Sequence, residues 1–269
     1  MDFTRITYKK LLSVLKQSGY SFLSFDDFLK ASIINEKIII LRHDVDAKPE
    51  NSRLFAIIEN ELGIRGSYYF RIVPQSWDEK IIKEIASLGH EIGYHYEDVD
   101  IVAKKRSNST TDEKVLSKAK ESFECNLYKL RSLAKVNTIC MHGSPRSKYD
   151  NRILWKYYDY HDYDIYGEPY FDVDFSKIAY YTDTGRCWDG DKFSVRDKVG
   201  SPFLGSFPRY HSTNNIIDAI KKGSFPKQLM LTLHPQRWED KLFPWLKELI
   251  LQNVKNTIKF FVVKVRNKS

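Results

Sequence analysis

Apolar residues in this chain come in short blocks separated by polar stretches, many of them punctuated by glycine. In the opening segment, MDFTRITYKKLLSVLKQSGY, residues Tyr8, Leu11, Leu12 and Leu15 recur at helical spacing and predict an amphipathic helix. The run KIIILR (37–42) predicts a buried strand. NSRLFAIIENELG (51–63) predicts a helix stopped by Gly63, GSYYFRI (66–72) a strand, SWDEKIIKEIASLG (76–89) a second glycine-ended helix, and HEIGYH (90–95) a short strand. A long helix is expected over roughly 111–134, starting at Thr110 or Thr111; a strand follows over NTICMH (137–142) and a helix begins in YDNRILWKYY (149–158). Residues 160–210 are aromatic and irregular, with one strand at KIAYYTDT (177–184). KQLMLTLH (227–234) reads as a strand, and EDKLFPWLKELILQNV (239–254) as a helix that Pro244 either kinks or opens. TIKFFVVKV (257–265) fits a last strand or an extension of that helix.

Repeated strand–helix units imply a mostly parallel sheet. With about six to eight units in 269 residues, the expectation is an α/β fold, a closed or distorted (β/α) barrel in a single domain. Residues 1–36 would be a helical lead-in packed on a barrel formed by 37–269. A doubly wound open sheet is the rival arrangement, although no GxGxxG follows a strand, which argues against its dinucleotide-binding form.

Composition narrows the function. Hydrophobic residues at 42% and aromatics at 14% exclude global disorder. No apolar run reaches the roughly 18 residues of a membrane span, and the N-terminus lacks a secretory signal, so a cytoplasmic location is expected. Three cysteines, Cys125, Cys140 and Cys187, lie far apart without a CxxC, which argues against a disulfide framework and a thiolate zinc site. The net charge of +8 is spread over scattered lysines and a basic tail, KVRNKS. It reads as solvated surface or as attraction for an anionic partner; no nucleic-acid-binding motif is present.

In a (β/α) barrel, chemistry gathers at the C-terminal ends of the strands. Those ends carry His43, Asp44 and Asp46; His95, Glu97 and Asp98; His142; Asp183, Arg186 and Trp188; and His234 and Arg237. One strand-end histidine is usually structural, but histidines at four of five ends predict a centre for zinc or a similar divalent ion. The acidic pair Asp26 and Asp27 in SFDD is expected to cap a short helix instead. His90, at the start of its strand, is expected to be structural.

The segments LRHDVD, GHEIGYHYED and LTLHPQRW resemble the polysaccharide deacetylase family, whose shared unit is the NodB homology domain. More narrowly they resemble a bacterial HDVD-motif branch linked to surface-polysaccharide synthesis. The resemblance runs from residue 37 to residue 238. It implies a distorted (β/α) barrel, a divalent metal, usually zinc, and removal of acyl groups from N-acylated sugars. It makes Asp44 the general base, Asp46 and His95 metal ligands, and His234 the general acid. The family's second metal histidine falls on Val99; Glu97, Asp98 and His142 are the candidates to replace it, with His142 favoured. His142 also stands where the family's base-orienting arginine is expected, so Arg42 either takes that role or pairs a neighbouring acid. Arg186, Trp188 and Arg237 are candidates for substrate binding, with packing as the alternative for the first two. The implied partner is an N-acylated sugar, a sugar nucleotide or a lipid-linked glycan. A non-catalytic glycan-binding barrel is the alternative function, resting on Val99. A metal phosphoesterase would need more ligands than the chain offers.

Overall fold

Strand β2, Ile38–Val45, is buried at every position and forms the centre of the sheet. The computed structural model describes residues 1–31, 36–104, 112–143, 149–189 and 207–266, with side chains through residue 257. One edge of β2 pairs with β7, Gln228–Leu233, from Ile38 to His43. The other edge is shared: β1, Ser21–Leu23, pairs with Ile38–Ile40, and β3, Ser67–Phe70, with Arg42–Val45. Beyond β3 lie β4, Glu91–Tyr96, and β5, Ile139–Met141; beyond β7 lies β6, Ala179–Thr182. The seven strands run parallel in every pairing, and among the described residues none joins β5 to β6. The result is a distorted (β/α) barrel, open on that side.

The helices are α1 (Arg5–Gln17), α2 (Phe25–Lys30), α3 (Pro49–Glu61), α4 (Glu79–Ser87), α5 (Asp98–Lys104), α6 (Asp112–Arg131), α7 (Pro169–Asp172), α8 (Thr213–Lys221) and α9 (Leu242–Arg266). The predicted start of α6 at Thr110 or Thr111 lies outside the described residues. Residues 151–156 form only a 3₁₀ turn. TIKFFVVKV continues α9, and Pro244 sits in its first turn, where a missing N–H costs no hydrogen bond.

Alternation along β2 divides two apolar layers. Ile39, Leu41 and Val45 pack towards the helices, with Tyr8, Leu11, Leu12 and Leu15 of α1 in the same cluster. Ile40 faces the barrel interior with Phe25, Tyr69, Cys140 and Met230. The strand ends three residues later than KIIILR suggested, so His43 and Asp44 are still inside it and point to opposite faces. SFDD is structural, but the cap is Ser24, whose Oγ accepts from Asp27 N at 3.1 Å; Asp26 and Asp27 occupy the first turn.

Candidate metal centre

Asp46 follows β2, His95 lies on the barrel face of β4, and His142 follows β5. The structure brings the three together. His95 Nε2 is 3.6 Å from Asp46 Oδ1, and His142 Nε2 is 3.5 Å from the same oxygen. One ligand atom from each residue lies within 4.8 Å of the others. For His95 the opposite ring nitrogen fixes the tautomer. His95 Nδ1 is 2.9 Å from the Cys140 carbonyl, an acceptor only, so it carries the proton and leaves a lone pair on Nε2. His142 Nδ1 lies 3.1 Å from Glu97 Oε2, and the other oxygen of that carboxylate, Oε1, accepts from Arg71 Nε at 2.7 Å. These are the supports that orient metal-binding imidazoles.

The charges agree. Burial pushes His95 down to about 4 against the pull of Asp44, so its Nε2 is unprotonated at neutral pH. Burial raises Asp46, but His142, His234 and His95 outweigh it and hold the carboxyl below its ordinary range. Asp46 Oδ2 accepts from Gln236 Nε2 at 3.1 Å, while Oδ1 is buried with no hydrogen-bond partner. Two imidazole nitrogens face this donorless carboxylate oxygen, and a cation shared among the three, a metal ion or a proton on His142, satisfies the arrangement. The mixed nitrogen and oxygen donors suit zinc or a related ion with three protein ligands. A second grouping, Asp44, His95 and Cys140, also comes within ligating distance. There both Asp44 oxygens are already engaged by Arg42, which makes it the poorer cage.

Asp44 and His234 flank the centre. Arg42 grips Asp44 with a two-pronged contact, Nε to Oδ1 at 2.8 Å and Nη2 to Oδ2 at 2.7 Å. Burial would raise the Asp44 carboxyl; Arg42, with His95 and His234, overcomes this and holds it well below its ordinary range. Asp44 Oδ2 is 3.8 Å from His95 Nε2. On the other flank, His234 Nδ1 is 2.6 Å from Asp183 Oδ1, which turns Nε2 towards Asp46 Oδ2, 4.0 Å away. Asp183 is fully buried and accepts also from His234 N, Arg237 Nη1 and Trp238 Nε1.

Other candidate residues lie elsewhere. Val99 is buried in α5. Asp98 turns away from the centre and accepts from Tyr94 Oη, Ser122 Oγ and Asn126 Nδ2. Arg237 braces Asp183 instead of reaching open solvent. Trp188 is no sugar-binding wall: it is 4% exposed, its Nε1 donates to Thr213 Oγ1 at 3.0 Å, and its ring packs on Phe3 and Trp238. Arg186 is likewise buried, donating to the Trp245 carbonyl and lying over the Trp245 ring. His43 is not on the rim either. Facing the helices, it meets Glu59 at 2.9 Å and stacks on Tyr68 at 4.1 Å. His90 packs behind the same sheet, with Nε2 3.1 Å from the Ala56 carbonyl. Sequence reasoning missed the supporting roles of Asp183, Glu97 and Arg71. An acid ending the strand beside the His234 strand was the available signal for Asp183.

No protein-family model matches the sequence, and no curated protein matches it. Solved structures do resemble its fold. They are family 4 carbohydrate esterases. One from Bacillus anthracis is 13% identical, covering 93% of this chain and 86% of its own, with a TM-score of 0.38. Bacillus subtilis PdaA is 12% identical over 91% of this chain and 84% of its own, with a TM-score of 0.36. A mutant of a family 4 pseudoenzyme with restored enzymatic activity is 12% identical over 84% of this chain and 64% of its own, with a TM-score of 0.37. At this identity no residue role passes from those proteins to this chain, whose chemistry has to be read from its own side chains.

Proposed function

We propose that this protein is a metal-dependent carbohydrate deacetylase that hydrolyses the N-acyl group of a sugar or glycan intermediate, in surface-polysaccharide synthesis. The observation that carries the reading is the convergence of Asp46, His95 and His142, with an Arg42-held carboxylate on one side and an Asp183-held imidazole on the other. The HDVD and GHEIGYH motifs support the substrate class.

Asp46, His95 and His142 would hold the divalent ion, zinc by the nature of the donors. When bound, it supplies Lewis acidity towards water and an acyl carbonyl. Asp44 accepts the proton of the attacking water as the new C–O bond forms. Arg42 keeps Asp44 ionised and fixes its plane. His234, with Nε2 on the side of the centre, donates a proton to the departing amine as the C–N bond breaks. Asp183 holds the opposite N–H and stabilises the imidazolium before that transfer. The products are a carboxylate and a free amino sugar. The proton transfers contribute on the order of 10² to 10⁴ in rate.

Elemental analysis of the purified protein tests the reading, with His95→Ala beside wild type and acetate release from N-acetylated sugars as the activity readout. The expected result is about one zinc per chain, lost in the variant together with activity. Wild-type protein that takes up no metal after zinc is supplied would overturn it in favour of a non-catalytic glycan-binding barrel, the reading Val99 favours.

A further inference from the structure

Over residues 242–257, helix α9 turns polar contacts inward and apolar side chains outward. The face it buries is polar: Gln252 Nε2 donates to Asn256 Oδ1 at 2.7 Å, Asn256 Nδ2 donates to the Gly185 carbonyl at 2.9 Å, and Trp245 Nε1 donates to the Asp2 carbonyl at 2.7 Å. The face it leaves outside is apolar. Phe243 is 83% exposed, Ile250 61% and Val254 54%, with Leu242, Leu246 and Leu251 beside them. Residues 243, 246, 250 and 254 are three and four apart, one stripe along the helix. A continuous apolar stripe of this kind marks a surface that is covered in use.

Charge says what covers it. Residues 241–269 contain seven Lys or Arg and one acid, Glu248, so this segment carries six of the chain's eight net positive charges. Lys247 and Lys255 are exposed alongside the stripe. A second copy docking here would bring two such segments together and repel. An anionic lipid surface complements both features, since apolar side chains enter the acyl boundary while lysines meet the headgroups. No helix among the described residues is long and apolar enough to cross a membrane, so the helix would lie along the surface. It also starts beside the rim of the candidate centre. Lys48, two residues past Asp46, lies 3.9 Å from Glu248 and 3.5 Å from the Gln236 carbonyl.

We propose that the exposed stripe of α9, with its flanking lysines, docks this protein on an anionic lipid bilayer. The inference rests on α9 alone and stands whether or not the metal centre is catalytic. The test is sedimentation of the full chain with phosphatidylglycerol–phosphatidylcholine vesicles and with phosphatidylcholine vesicles, at low and high salt. Wild type should partition at least tenfold more to the anionic vesicles, and high salt should reduce this. Phe243→Asp with Ile250→Glu should lower partition at least tenfold, and Lys247→Glu with Lys255→Glu should abolish the preference for anionic lipid. All four positions are exposed, so circular dichroism should be unchanged. Equal partition of wild type and the apolar-stripe variant overturns the proposal. So does a wild-type dimer in sedimentation velocity that this variant converts to monomer, which would make a second copy the occupant.

Discussion

His43 and His234 both sit at the ends of apolar strands, and their environments predict opposite results on substitution. His234→Ala removes the imidazole held by Asp183, whose Nε2 stands 4.0 Å from Asp46 Oδ2, and leaves the side chains of Asp46, His95 and His142 in place. It should lower turnover by about 10² to 10⁴ while metal content stays at the wild-type level. His43→Asn should do the reverse. Its imidazole answers the fully buried Glu59 at 2.9 Å, so the change should cost roughly 1–3 kcal/mol in urea denaturation and leave turnover of the folded protein intact. Loss of metal in His234→Ala, or a catalytic defect in folded His43→Asn, would sink these assignments. The sequence could not separate the two histidines, because strand period decides which way each points and the apolar run KIIILR stops three residues short of the end of β2. It did bring out Asp44, Asp46, His95, His142 and His234 as a group, since strand ends of one barrel share a rim. The braces were less legible. Asp183 meets His234 across 51 positions of chain, and Arg71 meets Glu97 across 26.

At the scale of elements, the GHEIGYH strand shows how a small residue positions the site. A Cβ on Gly93 would collide with the Tyr69 ring and come 3.2 Å from the Thr138 carbonyl. That ring bonds Thr138 Oγ1 at 2.9 Å and lies beneath the Arg42 guanidinium, at 5.9 Å. Gly93→Ala should therefore displace Tyr69, destabilise the protein by about 1–3 kcal/mol and lower turnover through Arg42; a fully stable, fully active variant would contradict this packing. The longer elements were legible from hydrophobic period. The shorter ones were not: β1 has three residues, and α5 starts two residues after β4 without a glycine or proline to mark the turn. Helix α8 carries its own signal, a reciprocal cap between Ser212 and Asn215 at the start of TNNIIDAIK.

At the scale of the whole molecule, the open side of the barrel is held by a buried acid. Glu168 accepts from Met141 N of β5 at 2.9 Å and from Tyr170 N of α7 at 2.5 Å. Burial, opposed by the Met141 N–H and by Arg42, pushes its carboxyl up to about 7 from an ordinary 4.5. A carboxyl raised on folding contributes stability that is complete below its unfolded pKa and is lost as pH rises through its folded value. Wild type should thus lose up to about 3 kcal/mol from this group between pH 5 and pH 8. Urea midpoints of Glu168→Gln across that range should fall less steeply; parallel curves for the two proteins would remove Glu168 as the cause.

The pairing of β2 with β7 also has a cost in time. Ile38 meets Gln228, so the ribosome must add 190 residues between the central strand and its neighbour. At roughly 5–20 residues per second this takes about 10–40 s. Throughout that interval the apolar edge of Ile38–Leu41 has no β7 to cover it, and an uncovered strand edge is a template for aggregation. The strand that carries Asp44 to the rim is therefore also an edge that stays open to mispairing until β7 is made.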